Sequence, residues 1–388
     1  MESLYRAFFN LETDLSATAV IIDVVLRPES RRSSVFIAEK LLISEHPLQN
    51  HAIRDSFMHW FAIPAHILKT EQLDIQTGID QMRNVILRAT ILMTITGCAA
   101  CEFSALAADH PEIALWPDGL PAGAKSIDAT RVEELKGKLT EERIYYVDTP
   151  SITVYKAPKD TGNGCGVVVC PGGGYNILAW PKEGLEVAEW FNSIGVTAVV
   201  LKYRVPRRDP AAPHVEPLQD AQRALRLVRN HAKDWGIDPG RVGILGFSAG
   251  GHLTAMTGMH WRKPSYDRVD EADDLSCRPD FMCPIYAAYL GPDYNDRVAE
   301  LGPLVSVDAR TPPAFMAVTA DDSYRGAQAA LFFVELKKAK VSAELHIYSK
   351  GGHGYGIRPS EKPISKWHHR LGDWLKLQGL LEASAATN

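Results

Sequence analysis

The chain has 388 residues, 46% of them apolar and 23% charged, with a formal net charge of −5. That is room for one large α/β domain with extra segments, or for two domains, at the composition of an ordinary soluble globular protein. No basic surface argues for nucleic acid, and the charge names no substrate.

Residues 1–81 mix apolar, charged and proline residues with no sustained period and read as an upstream segment outside any domain. A basic start at 82–88, an apolar core at 89–100 and the small-x-small site Ala105-Leu106-Ala107 then follow in the order of a secretory signal peptide. The apolar run is too short for a stable membrane span. A signal peptide works at a chain's N-terminus, so Met82 is the expected start and the product is expected to be secreted or periplasmic. Ile95-Thr96-Gly97-Cys98 resembles a bacterial lipoprotein box, which would make Cys98 the lipidated residue. Membrane attachment is expected only by that route. The plainer alternative for this stretch is a buried helix.

Residues 109–388 read as a single α/β unit. Residues 143–147 and 151–156 look like two strands joined through Asp148-Thr149-Pro150, an antiparallel start to a sheet. Buried strands are predicted at 166–169 and 195–203, with a helix over 183–193 between them. Leu218, Ala221, Leu225, Val228, Ala232 and Trp235 recur at helical spacing. Further strands are expected at 241–245, 281–287, 314–318 and 343–348, with helices at 249–259, 328–339 and 364–378. Strands alternating with helices predict a mostly parallel sheet covered on both faces.

Six cysteines add little chemistry. Cys165 and Cys170 are an odd number of residues apart on one strand and face opposite sides, so they cannot pair. Cys277 and Cys283 flank five residues, a spacing open to a small loop disulfide. Cys98 and Cys101 have zinc spacing but no accompanying pair or histidine cluster. No metal and no cofactor are expected.

The chemistry centres on Gly246-Phe247-Ser248-Ala249-Gly250, which lies between a buried strand and a helix. A chain reversing there forces the serine into a strained conformation that needs tiny neighbours, and leaves the Ala249 N–H free for an oxyanion. The bland alternative is a glycine-rich connection. A serine hydroxyl needs a base and an orienting carboxylate. His353, in Gly351-Gly352-His353-Gly354, follows a late strand in a flexible setting and is the expected base. His252 is expected to pack beneath the site, His214 to sit in a loop and His346 on a strand face. After the strand ending at Val318 stands Asp321-Asp322. One is expected to orient His353 and the other to cap the next helix, with Asp322 favoured as the orienting acid. Cys170-Pro171-Gly172-Gly173-Gly174-Tyr175 follows a buried strand, and its glycines allow N–H groups to turn inward. It lacks the residues of a phosphate loop.

From about Leu115 onward the sequence resembles the α/β-hydrolase esterases of the hormone-sensitive-lipase-like kind, closest to the bacterial secreted branch related to acetylxylan and feruloyl esterases. The carrying motifs are Pro171-Gly172-Gly173-Gly174-Tyr175, Leu201-Lys202-Tyr203-Arg204, the stretch 217–224, the stretch 246–252 and Gly351-Gly352-His353-Gly354. The resemblance implies Ser248 as nucleophile, Asp322 and His353 as its partners, and the N–H groups of Gly172, Gly173 and Ala249 as oxyanion hole. It departs from many lipases at Pro171, where they carry histidine, and at Ser323-Tyr324-Arg325-Gly326, which replaces the common valine–proline turn. The expected substrate is a small-molecule or polysaccharide ester with a short acyl group. Trp180, Tyr175, Trp261 and Tyr355 are candidates to stack on a sugar or aromatic ester, or simply to pack. The alternatives are a serine peptidase of the prolyl-oligopeptidase kind, for which residues 1–140 cannot supply the usual propeller, and a catalytically silent binding module.

Overall fold

Runs of valine, isoleucine and leucine bounded by glycine, proline or polar residues build the sheet that carries the site. The computed structural model describes residues 4–9, 20–27, 34–41, 110–138 and 140–383. Two units divide the chain, 1–107 and 108–388. In the first, β1 (Leu4–Phe9), β2 (Val20–Arg27) and β3 (Ser34–Leu41) form an antiparallel sheet in sequence order. The leader expected at 82–108, with Cys98 and Cys101, lies outside the described residues.

The second unit holds an eight-stranded sheet in the order β11-β10-β9-β8-β6-β7-β5-β4. The strands are β4 (Glu112–Ala114), β5 (Ser151–Tyr155), β6 (Gly166–Cys170), β7 (Thr197–Lys202), β8 (Val242–Phe247), β9 (Met282–Ile285), β10 (Ala314–Thr319) and β11 (Ala343–Tyr348). From β7 to β11 every pairing is parallel; β5 pairs antiparallel with β7 and with β4. Thus the sheet is mostly parallel, with an antiparallel start. That start differs in its pieces from the sequence expectation. Residues 143–147 make only isolated bridges, at Arg143 with Thr140, at Ile144 with Leu178 and at Val147 with Val205. The antiparallel partner is β4 instead, a strand of three residues, too short to show a period of two.

Alternate strand residues enter different cores, as a pleated strand requires. Val168 and Ile244 pack with Leu225 and Val228 of α3 (Val215–Asn230) and Leu253 of α4 (Ala249–His260). Val167, Val169 and Leu245 pack on the other face with Val187 and Phe191 of α2 (Glu186–Ser193) and Trp367 and Leu371 of α6 (Trp367–Leu377). The remaining helices are α1 (Ala129–Lys136) and α5 (Arg325–Lys338). A π-helical turn, Pro181–Leu185, runs directly into α2.

Two of the sequence motifs are spent on the fold. Arg204, after β7, forms a fully buried ion pair with Asp220 of α3 at 2.9 Å. Asp220 also accepts the Arg204 backbone N–H (2.9 Å) and the Trp116 indole N–H (2.9 Å), so both of its oxygens have donors. A buried charge pair is tolerable only when satisfied in this way. Cys277 and Cys283 do not pair: both are free and buried. Cys283 lies inside β9 in the sheet core, whereas the Cys277 thiol donates to the Trp261 carbonyl at 3.3 Å.

Candidate active site

Ser248 is the whole connection between β8 and α4. It sits at φ 53° and ψ −116°, a backbone region that a residue with a side chain occupies only under constraint. The constraint is visible in its neighbours. A Cβ on Gly246 would lie 2.2 Å from the Gly250 oxygen, and one on Gly250 would lie 2.1 Å from the Cys170 oxygen. Only hydrogen fits at either place, which is why this turn reads glycine-x-serine-x-glycine.

His353 reaches Ser248 from the loop after β11. Its Nε2 lies 2.8 Å from Ser248 Oγ and its Nδ1 2.6 Å from Asp322 Oδ2. Gly352 and Gly354 flank it at φ 70° and 68°, turning the loop over the sheet edge. The Thr319 hydroxyl, at the end of β10, donates to the Gly352 carbonyl at 2.7 Å and fixes the loop. Asp322 is buried between β10 and α5, and its second oxygen accepts from Arg325 Nη1 at 2.6 Å. Arg325 is shared with Asp296 at 2.7 Å. Arg325, one of the four residues that depart from the common turn, thus supplies the clamp on the acid. A carboxylate held this way fixes the Nδ1–H tautomer, leaving Nε2 to accept the serine proton.

Asp321 does not cap α5, whose N-cap position is Tyr324, with no side-chain cap bond. Its carboxylate instead accepts the N–H groups of Gly352 (2.9 Å) and Gly351 (3.0 Å). Those backbone bonds, the Gly352 bond foremost, hold its carboxyl at about 2. The two neighbouring acids therefore hold the same loop at different points, one through the imidazole and one through the main chain.

The glycine loop after β6 requires a correction. Gly172 does not offer a free N–H: it donates to Glu183 Oε2 at 2.8 Å. Gly173, Gly174 and Ala249 leave their N–H groups without a protein acceptor among the described residues. The sequence reading placed Glu183 only at the start of a predicted helix and gave it no part in the site. It is 4% exposed, sits in the π-helical turn, and also accepts the Tyr286 hydroxyl at 2.8 Å. Burial pushes its carboxyl above the ordinary value. The only signal in the sequence was an acid between a lysine and a glycine at the start of a predicted helix.

The other candidates divide by position. His252 lies buried on α4 with Nδ1 2.9 Å from the Tyr175 hydroxyl, and burial holds it neutral. His214, at the start of α3, pairs with the Tyr294 hydroxyl at 3.1 Å and is held down at about 4 by burial. His346 pairs with Glu344 on β11. Tyr175 is fully buried and cannot stack on a substrate. Trp261 stands past the far end of α4, roughly 20 Å from Ser248 at 1.5 Å per residue, and packs under Arg262. Tyr355 packs edge-on against Tyr286 at 4.3 Å, and Trp180 lies under the Lys202 ammonium at 5.3 Å.

Residues 152–278 match the family model described as BD-FAE. The acetylxylan esterase of Xylanibacter ruminicola is 29% identical over 238 residues, which are 55% of this chain and 46% of that protein. Endo-1,4-beta-xylanase B of Butyrivibrio fibrisolvens is 28% identical over 228 residues, 55% of this chain and 35% of that protein. The chain thus spans less than half the length of these curated relatives. Among solved structures, the acetyl ester-xyloside bifunctional hydrolase of Caldicellulosiruptor lactoaceticus is 32% identical with a TM-score of 0.55, covering 70% of this chain and 97% of that one.

Proposed function

This chain is an α/β-hydrolase serine esterase related to the acetylxylan and feruloyl esterases, and from that premise we propose that it cleaves short acyl esters of carbohydrates through an acyl-enzyme on Ser248. The observation that carries the proposal is the continuous line from Asp322 through His353 to Ser248, at 2.6 and 2.8 Å, on a strained serine turn. His353 Nε2 takes the Ser248 proton as Oγ attacks the ester carbonyl. The N–H groups of Gly173 and Ala249, with Gly174 beside them, receive the oxyanion. His353 then gives its proton to the leaving alcohol, and water repeats the sequence on the acyl-enzyme.

A short acyl group fits the segment between α4 and β10, where the described helices are only the short turns Glu271–Asp274 and Pro292–Tyr294. Acetyl is the acyl group named for two of the relatives. The leader-like order of residues 82–108 supports export from the cytoplasm, a reading that N-terminal sequencing of the exported protein tests.

The deciding experiment compares wild type and Ser248→Ala on acetylated xylan, feruloylated xylan and p-nitrophenyl esters of rising chain length. Turnover should be highest on acetyl esters and vanish in the variant, apart from a small residual rate from binding and the oxyanion site. Near wild-type turnover by a folded Ser248→Ala protein removes the assignment.

A further inference from the structure

We propose that Glu183 is a positioning residue for ester hydrolysis, tying the loop that receives the oxyanion to the loop that carries His353. The inference rests on the esterase reading and concerns a residue outside the triad.

Three loops meet at this one carboxylate. Oε2 accepts the Gly172 N–H from the loop after β6. Oε1 accepts the hydroxyl of Tyr286, which follows β9. That hydroxyl in turn accepts the N–H of Gly356, from the His353 loop, at 3.1 Å. The Tyr286 ring also stands edge-on to the His353 imidazole, with centroids 5.1 Å apart. Tyr286 reaches this place with a backbone φ of 34°, an unfavourable value for a bulky residue that the surroundings must enforce.

The effect on the oxyanion site follows from peptide geometry. Gly172 is pinned through both polar groups: its N–H by Glu183, and its carbonyl by the Ala179 N–H at 3.0 Å. In a trans peptide the N–H of the next residue points opposite that carbonyl. Fixing the Gly172 oxygen therefore aims the Gly173 N–H. There is no slack on the other side. A Cβ at Gly172 would stand 2.6 Å from Glu183 Oε2 and 3.0 Å from Ser248 Cβ, so the glycine fills the gap between carboxylate and nucleophile. The π-helical turn makes the reach possible, since its wider ring points Glu183 inward, and Gly184 beside it packs on Val200 and Pro171.

Glutamine is the informative replacement. It keeps the shape but offers one acceptor oxygen where two donors arrive. Glu183→Gln should lower kcat on p-nitrophenyl acetate by roughly ten- to a hundredfold, short of the full loss of an oxyanion donor. KM should stay within about threefold, and affinity for a boronic acid that mimics the tetrahedral state should fall by the same factor as kcat. Tyr286→Phe, which keeps the ring and removes the hydroxyl, should move both quantities the same way but less. The double variant should be no worse than Glu183→Gln alone, because both act through one carboxylate. A merely structural role would lower melting temperature and leave the boronate affinity untouched. Folded Glu183→Gln with wild-type kcat and boronate affinity overturns the proposal, as does a rise in KM at constant kcat. Should Glu183→Gln fail to fold, Tyr286→Phe decides by the same two readouts. Wild-type protein that neither hydrolyses esters nor reacts with a fluorophosphonate removes the esterase reading itself, a result distinct from unaffected variants of an active enzyme.

Discussion

Replacing Asp322 by asparagine tests the site most sharply, because Arg325 dictates how the amide must sit. Arg325 Nη1 donates to one Asp322 oxygen at 2.6 Å, and His353 Nδ1 meets the other at 2.6 Å. In Asp322→Asn the amide oxygen should stay on Arg325. The reverse orientation would set donor against donor and lose a charge-assisted bond of about 1.5–3 kcal/mol, a bias of roughly ten- to a hundredfold. The amide NH₂ then faces Nδ1, which must become the acceptor, so the ring proton moves to Nε2. That proton points at Ser248 Oγ and blocks its deprotonation. Adding the loss of the negative charge beside the imidazolium, the total should approach the roughly 10⁴-fold kcat loss, about 5.5 kcal/mol, known for an orienting aspartate. Melting temperature should change little, since Arg325 keeps Asp296. Adding Arg325→Met to Asp322→Asn frees the amide to turn and should restore kcat by about tenfold or more. Asp321→Asn should leave kcat within about tenfold, because that residue holds the loop through main-chain N–H groups and does not touch the imidazole. The assay is kcat on one soluble ester for wild type and the three variants. A severe loss in Asp321→Asn with an active Asp322→Asn would transfer the orienting role and refute the reasoning.

Gly250→Ala should destabilise the protein by about 3 kcal/mol or more and remove turnover, since the new methyl meets the Cys170 oxygen at 2.1 Å; chemical denaturation and ester assay check it. Asp220→Ala should cost about 3–5 kcal/mol by leaving Arg204 charged and buried without its partner, with kcat per folded molecule retained. Stability should fall on acidification. Burial holds His214 at about 4 and His252 well below its ordinary value, so the unfolded chain takes up protons near pH 6.5 that the folded chain refuses. The stability these residues contribute is complete above about pH 6.5 and lost as pH drops toward 4. His214 alone should account for roughly 2 kcal/mol between pH 7 and 5. Urea midpoints at the two pH values measure the drop, and His214→Gln should reduce it.

The regular parts of the catalytic unit were legible because each announces itself locally. α3 shows its apolar face every three or four residues, β6 to β10 are short apolar runs closed by turn residues, and β11 alternates apolar with polar residues. β4 was not, since three residues carry no period, and 143–147 misled because an extended segment with single bridges has the composition of a strand. Within the site, Ser248 is marked by glycines that its own turn demands. Glu183 is different: its partners lie 11 and 103 residues away, and no spacing in the chain records such a meeting. Asp321 and Asp322 are chemically identical in sequence and differ only in which part of the His353 loop each one meets.

The serine turn has a consequence for how this scaffold could change its chemistry. Main-chain oxygens of Cys170 and Gly250 crowd the two glycines and set the path of the chain, while the Ser248 side chain makes no cap bond to α4. The address of the nucleophile is therefore written in the backbone, and its occupant is a separate choice. A thiol at the same position would inherit the imidazole, the aimed N–H groups and the approach to the carbonyl without any element moving. Thioester chemistry lies one atom away from this fold, whereas a shift of the attacking group by one residue would require a different protein.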